Sequence, residues 1–164
     1  MPSARDHIVA GLRAMAETAL RTAERIAPDL ERAAEMVRDT VRRNGTLIFC
    51  GNGGSAADAQ HLATEYVVRY GQNRRALAAV ALTTDTSLLT AAGNDLGFEH
   101  IFSRQVEALC RPGDLLVLHS TSGRSRNLIE AARAARARQV RTVAFLGRDG
   151  GALAGEVDEA VVVP

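Results

Sequence analysis

The sequence predicts an α/β fold, a doubly wound five-stranded parallel sheet preceded by two helices. One observation is a set of short apolar runs, Leu47 to Cys50, Leu77 to Leu82, Leu115 to Leu118, Val140 to Phe145 and Ala160 to Val163, with helical or turn segments between them. Short buried strands separated by helices require right-handed crossovers and a sheet covered on both faces. The other is that the first and third runs pass directly into turns rich in glycine or serine, from which helical sequence resumes.

In chain order, residues 4 to 27 carry Ile8, Leu12, Met15 and Ala19 at helical spacing and end just before Pro28. A second stripe, Leu30, Ala34, Val37 and Val41, stops at Asn44-Gly45, residues that tolerate the left-handed conformation ending many helices. The first strand then leads through Gly51-Asn52-Gly53-Gly54-Ser55 into helical sequence reaching about Tyr70. Asp85 follows the second strand, and Gly93-Asn94-Asp95 reads as a polar turn. After the third strand comes Ser120-Thr121-Ser122-Gly123-Arg124-Ser125, with a helix starting near Asn127. The Ala- and Arg-biased stretch Ala131 to Arg138 is read as part of a helix with a solvated Arg face. Residues 1–164 are expected to form one domain, with 1–44 a helical pair and 45–164 the α/β core.

Composition excludes several function classes. With 46% hydrophobic and 24% charged residues and a formal net charge of +1, the chain has neither the profile of disorder nor a generally basic nucleic-acid surface. Aromatic content of 4% without Trp argues against a base-stacking platform. All twenty positive side chains are Arg, a bias consistent with GC-rich coding. The sequence has no apolar run of membrane-spanning length and no signal pattern at its start, so a cytoplasmic protein without membrane contact is expected. Cys50 and Cys110 lack metal or redox spacing and are expected to be buried free thiols.

Ligands of open parallel sheets bind beyond the carboxyl ends of the strands, so the turns there carry the functional information. Gly51 to Ser55 lets the backbone approach a ligand at a helix N-terminus, whose free N–H groups favour an anion. Its spacing also matches a dinucleotide fingerprint, but no acidic residue ends the second strand. The alternative is a tight turn in which Ser55 caps a helix. Ser120, Thr121, Ser122 and Ser125 place four hydroxyls around Gly123, more than a helix cap uses and suited to a phosphate. A phosphorylated small molecule fits both turns. His61 and Glu65, four apart on the intervening helix, share a face and can supply two metal ligands or a base and its partner; taken alone, such a pair more often just stabilises an exposed helix.

Gly51 to Ala56, Asp58-Ala59-Gln60-His61, Glu65, Gly93-Asn94-Asp95, Ser120 to Gly123 and Gly147-Arg148-Asp149-Gly150-Gly151 together resemble the phosphoheptose isomerases, members of the sugar isomerase (SIS) domain family. The resemblance covers nearly the whole chain. It implies a SIS domain with a flavodoxin-like sheet and conversion of sedoheptulose 7-phosphate to a glycero-manno-heptose 7-phosphate. It also implies substrate contacts from Asn52, Gly53, Gly54, Ser55, Glu65, Asn94, Asp95, Ser120, Thr121, Ser122 and Ser125, with the serine-rich turn holding phosphate. Zinc ligation by His61 and Glu65, with Glu65 also the catalytic base, is implied in the same way. So is a homotetramer with the N-terminal helices at subunit contacts and active sites near the interfaces.

In that family a further helix follows the last strand and brings a Gln and a His, which complete the zinc site and supply a second acid–base group; the sequence runs to Pro164 without one. His119, beside the phosphate turn, is a conceivable substitute, although a strand-end histidine facing the scaffold is the simpler reading. Two other functions stay open. One is a non-catalytic module that binds a protein partner, as the replication-initiator-associating proteins of the same group do; the other is a sugar-phosphate sensor, which needs only the turns.

Overall fold

The computed structural model describes residues 3–164. Helix α1 (Ala4–Arg25) opens with a capping box: the Ser3 hydroxyl accepts from the Asp6 N–H, and the Asp6 carboxylate accepts from the Ser3 N–H. None of its residues is buried, and Ile8, Leu12 and Met15 are 64%, 61% and 70% exposed. The buried Ile26 joins it to α2 (Ala27–Arg42), which begins over Pro28. Helix α2 buries Ala33 and Thr40 and lays Met36, Val37 and Val41 on the sheet. The expected helical pair is thus divided, with α2 covering the core and α1 standing apart from it.

Strand β1 (Leu47–Gly51) leads into α3 (Gly54–Val67), then β2 (Ala79–Ala81) and α4 (Thr86–Asp95). After a short 3₁₀ turn, α5 (Ser103–Leu109) precedes β3 (Leu115–Ser120) and α6 (Arg126–Ala137), and β4 (Arg141–Leu146) and β5 (Glu159–Val162) complete the sheet. All five strands are parallel, in the order β2-β1-β3-β4-β5, which is the flavodoxin-like arrangement. Alternation along the strands builds two cores. Ile48, Cys50, Leu116, Leu118, Ala144 and Leu146 lie in one with residues of α4, α5 and α6; Leu47, Phe49, Leu115, Val117, Val143 and Val161 lie in the other with residues of α2 and α3.

Two expectations are corrected. The second strand is short: only Ala79–Ala81 pair with β1, and Val80 is exposed, as befits a strand with one neighbour. Gly93-Asn94-Asp95 is the last turn of α4 rather than a loop. Asp85 fixes the start of that helix by accepting from the Leu88 N–H at 2.9 Å, and Leu88, Leu89 and Ala92 hold its inner face on the core, so tertiary packing overrides the turn preference of Gly and Asn. Within α6, Ala131, Ala132 and Ala135 are fully buried, while Arg133 and Arg136 point outward and pair with Glu156. That is the solvated Arg face the sequence predicts.

Cys50 and Cys110 are free and fully buried. Desolvation raises both thiols, Cys110 to about 12, so neither is a ready nucleophile.

Candidate active site

The glycine turn closes β1 and opens α3. Gly53, the residue before the helix, has φ +57°, a conformation open to glycine at little cost. No side chain caps α3, so Ser55 is not the capping residue of a merely structural turn. Helices leave their first N–H groups without intrahelical partners, and here those groups belong to a glycine-rich segment at the carboxyl end of the sheet.

The serine turn follows β3 one strand away. The buried Ser120 hydroxyl accepts from the Gly123 N–H at 3.0 Å, and the Ser122 hydroxyl accepts from the Arg124 N–H at 3.3 Å. These bonds fix the turn while leaving the O–H protons of both serines to donate elsewhere. Ser125 precedes α6 without a side-chain capping bond. Gly123 has φ +62°, and a Cβ there would sit 1.8 Å from the Gly150 carbonyl oxygen. The third glycine motif, Gly147 to Gly151, therefore braces the serine turn from outside, reinforced by the Leu153 N–H donating to the Gly123 carbonyl and by an Arg124–Asp149 ion pair.

The two turns are linked directly. Asn52 Nδ2 donates to Asn127 Oδ1 at 2.9 Å, and Asn127 Nδ2 donates to Asn52 Oδ1 at 2.8 Å. Asn52, Ser125, Arg126 and Asn127 line a cavity of about 320 Å³ together with Phe98 and Glu99. On the other side of the glycine turn, Ser55, Ser120 and Thr121 line a second cavity of about 310 Å³ with Asp58, His119 and Phe145. His119 stacks on Phe145 with ring centroids 5.5 Å apart and on Phe49 at 6.3 Å, and Phe49 in turn stacks on Tyr66. Burial holds the His119 imidazolium below the usual histidine range, against a smaller upward pull from Asp58. Its Nε2 is buried without a hydrogen-bond partner. A histidine locked into an aromatic ladder belongs to the scaffold, not to a substitute acid–base pair.

His61 and Glu65 meet on α3 as their spacing requires, with Nε2 and Oε1 3.6 Å apart. They line a cavity of about 510 Å³ with Leu62, Tyr66, Tyr70 and Arg74, whose guanidinium donates to the Glu65 and Tyr66 carbonyls and closes the end of the helix. Among the described residues, no group of three or more His, Cys, Asp or Glu side chains is arranged to hold a metal ion. Helix α3 runs back along the sheet, and the Tyr66 carbonyl accepts from the N–H of Leu77, just ahead of β2. Eleven residues separate Gly54 from Glu65, about 16 Å of helix rise. Within one chain, Glu65 thus lies toward the opposite end of the sheet from the serine turn. Asn94 and Asp95 are exposed at the end of α4 and hydrogen-bonded to each other.

The SIS domain family model matches residues 12–147. A phosphoheptose isomerase from Roseiflexus sp. (strain RS-1) is 55% identical over 144 residues, covering 88% of this chain and 73% of the relative. The chain belongs to the phosphoheptose isomerase family of SIS domain proteins. The family member from Thiobacillus denitrificans is 46% identical over 157 residues, covering 96% of this chain and 80% of that one. Solved phosphoheptose isomerase structures share the architecture. The one from Neisseria gonorrhoeae superposes with a TM-score of 0.92 at 44% identity, covering 99% of this chain and 86% of its own, and the one from Francisella tularensis with 0.95 at 32% identity, covering 99% and 87%. Sequence reasoning did not single out Asn127, although its place two residues beyond Ser125 was a signal. It had no means of pairing Asn127 with Asn52, because 75 residues separate them.

Proposed function

We propose that the protein is an aldose–ketose isomerase that converts sedoheptulose 7-phosphate to D-glycero-D-manno-heptose 7-phosphate, in the carbohydrate metabolism that supplies heptose precursors. The observation that carries this reading is the joining of the glycine and serine turns at the carboxyl end of the sheet, in a chain of this family that also presents the Glu65 carboxylate on α3. Phosphate would be held by Ser120, Thr121, Ser122 and Ser125, and the sugar by Asn52 to Ser55 with Asn94 and Asp95. The chemistry assigned to Glu65 is proton transfer between neighbouring carbons. It takes a proton from C1 of the ketose as C1=C2 forms and the C2 oxygen gains a proton. The enediol then loses its O1 proton, C1=O forms, and the proton returns to C2.

His61 and Glu65 have the donor types and the mutual reach to supply two of the ligands that zinc takes. A zinc ion held there would polarise a substrate oxygen. The separation of Glu65 from the phosphate turn along α3 favours a homotetramer in which the two come from different copies, and the exposed apolar face of α1 offers a contact surface for it. Among the described residues, no helix is long and apolar enough to cross a membrane. We place the protein in the cytoplasm, where thiols such as Cys50 and Cys110 stay reduced.

Turnover of sedoheptulose 7-phosphate by the purified protein tests the reading. Glu65→Gln is expected to lower kcat at least about 100-fold, the usual loss when a general base is removed. Unaltered turnover in the variant would remove Glu65 from its role, and binding without turnover in the parent protein would leave a sugar-phosphate sensor.

A further inference from the structure

The reciprocal amide pair between Asn52 and Asn127 is unlike the other polar contacts around the site. The other side-chain bonds there are either local, as Ser120 to Gly123, Ser122 to Arg124 and Asn94 to Asp95, or exposed, as the Arg124–Asp149 ion pair. The Asn pair instead spans two strand-to-helix turns, each amide donating once and accepting once. Asn127 is 2% exposed, so its carboxamide has left water and depends on Asn52 for this pairing. Asn52 is less buried, stands one residue before the positive-φ Gly53, and shares its cavity with Ser125. Asn127 shares that cavity wall but lies almost out of solvent reach, the position of a group that holds another rather than one that meets a ligand itself.

We propose that Asn127 is a positioning residue for sugar-phosphate binding: its carboxamide fixes that of Asn52, and through it sets the glycine turn at a constant distance from the phosphate turn. The inference rests on the isomerase reading for its substrate but not for its geometry. An asparagine side chain has two acceptor lone pairs and two donor hydrogens. The pair uses one of each on Asn52, leaving one N–H and one lone pair in a fixed direction toward the cavity. Without Asn127, Asn52 would rotate freely, and the glycine turn, which has no side-chain cap of its own, would lose its only side-chain tie to α6 among the described residues. Ordering both before ligand arrives removes a cost that binding would otherwise bear.

A double-mutant cycle on the full chain tests this, with Asn127→Ala, Asn52→Ala and the pair together. Calorimetry with sedoheptulose 7-phosphate and a turnover assay are run on the same samples. Each single variant is expected to raise Kd and KM about 10-fold while leaving kcat within about 2-fold, and the double variant is expected to be no worse than Asn52→Ala alone. Additive losses of about 100-fold in the double variant would overturn the proposal, because Asn127 would then act independently of Asn52. So would an Asn127→Ala protein with unchanged affinity, or one that lost kcat at constant Kd. If Asn127→Ala does not fold, Asn127→Ser, which keeps a small polar group in the first turn of α6, takes its place in the cycle. Parent protein that binds the sugar phosphate without turning it over would count against the isomerase reading alone, with the Kd cycle still deciding the role of Asn127. Parent protein that binds no sugar phosphate would overturn both.

Discussion

Replacing His119 by Phe should make the protein more stable, and increasingly so as the pH falls. The imidazole is stacked between Phe145 at 5.5 Å and Phe49 at 6.3 Å, nearly parallel to both, so a phenyl ring keeps the ladder and its packing. What it removes is the buried Nε2 that finds no partner. An orphaned buried polar atom costs about 1–3 kcal/mol, and the larger ring gives back part of that gain in crowding, for a net of about 1–2 kcal/mol at pH 7.5. In a chain of this length each kcal/mol corresponds to about 2–4 °C in Tm.

The pH dependence follows from the sign of the shift. Burial depresses the His119 pKa in the folded state, so below about pH 6.5 the unfolded chain binds a proton that the native chain resists. Native stability therefore falls as the pH drops through 6.5 toward the folded value, by at most about 1.4 kcal/mol per pH unit, and Phe has no such loss. Urea denaturation of both proteins at equal concentration, at pH 7.5 and pH 5.5, measures the two effects. A variant less stable at pH 7.5, with the same pH slope as the parent, would refute the reasoning, because it would mean that Nε2 is hydrogen-bonded and the ring is not held neutral.

Two further perturbations probe the site. Gly123→Ala puts a Cβ where the Gly150 carbonyl stands, at a residue with positive φ. It is expected to cost about 2–3 kcal/mol in denaturation and to raise KM for the sugar phosphate at least about 10-fold, since the turn must move away from its brace. Co-expressing inactive Glu65→Gln chains with inactive Ser122→Ala/Ser125→Ala chains tests whether active sites are shared between copies. If base and phosphate turn come from different subunits, random mixing restores about a quarter of the parental activity, and if one chain supplies both, it restores none.

The sheet was legible because its strands are continuous apolar runs, a pattern that fully buried parallel strands impose. The serine turn stood out for a chemical reason: four hydroxyls around one glycine exceed what capping requires. What could not be read depended on tertiary packing. Gly93-Asn94-Asp95 has the composition of a turn, yet Leu88, Leu89 and Ala92 bind its helix to the core strongly enough to carry the helix through it. The Asn52–Asn127 pair joins residues far apart in sequence, and neither has a local pattern that announces the other. The apolar stripe of α1 was correctly seen, but a stripe alone does not say whether its partner lies in the same chain. Here, Ile8, Leu12 and Met15 meet water.

That exposed helix separates two kinds of mutational effect. Residues on the outer face of α1 add little to the α/β core, which α2 and α3 cover on that side. If copies of the chain meet through it, as proposed, polar substitutions at Ile8, Leu12 or Met15 would leave the melting temperature at high dilution unchanged. They would instead weaken its rise with protein concentration, because they would alter association and not folding. Substitutions in the strands would do the reverse. Where base and serine turn come from different copies, loosening that contact would also lower activity at high dilution, while each chain stays folded.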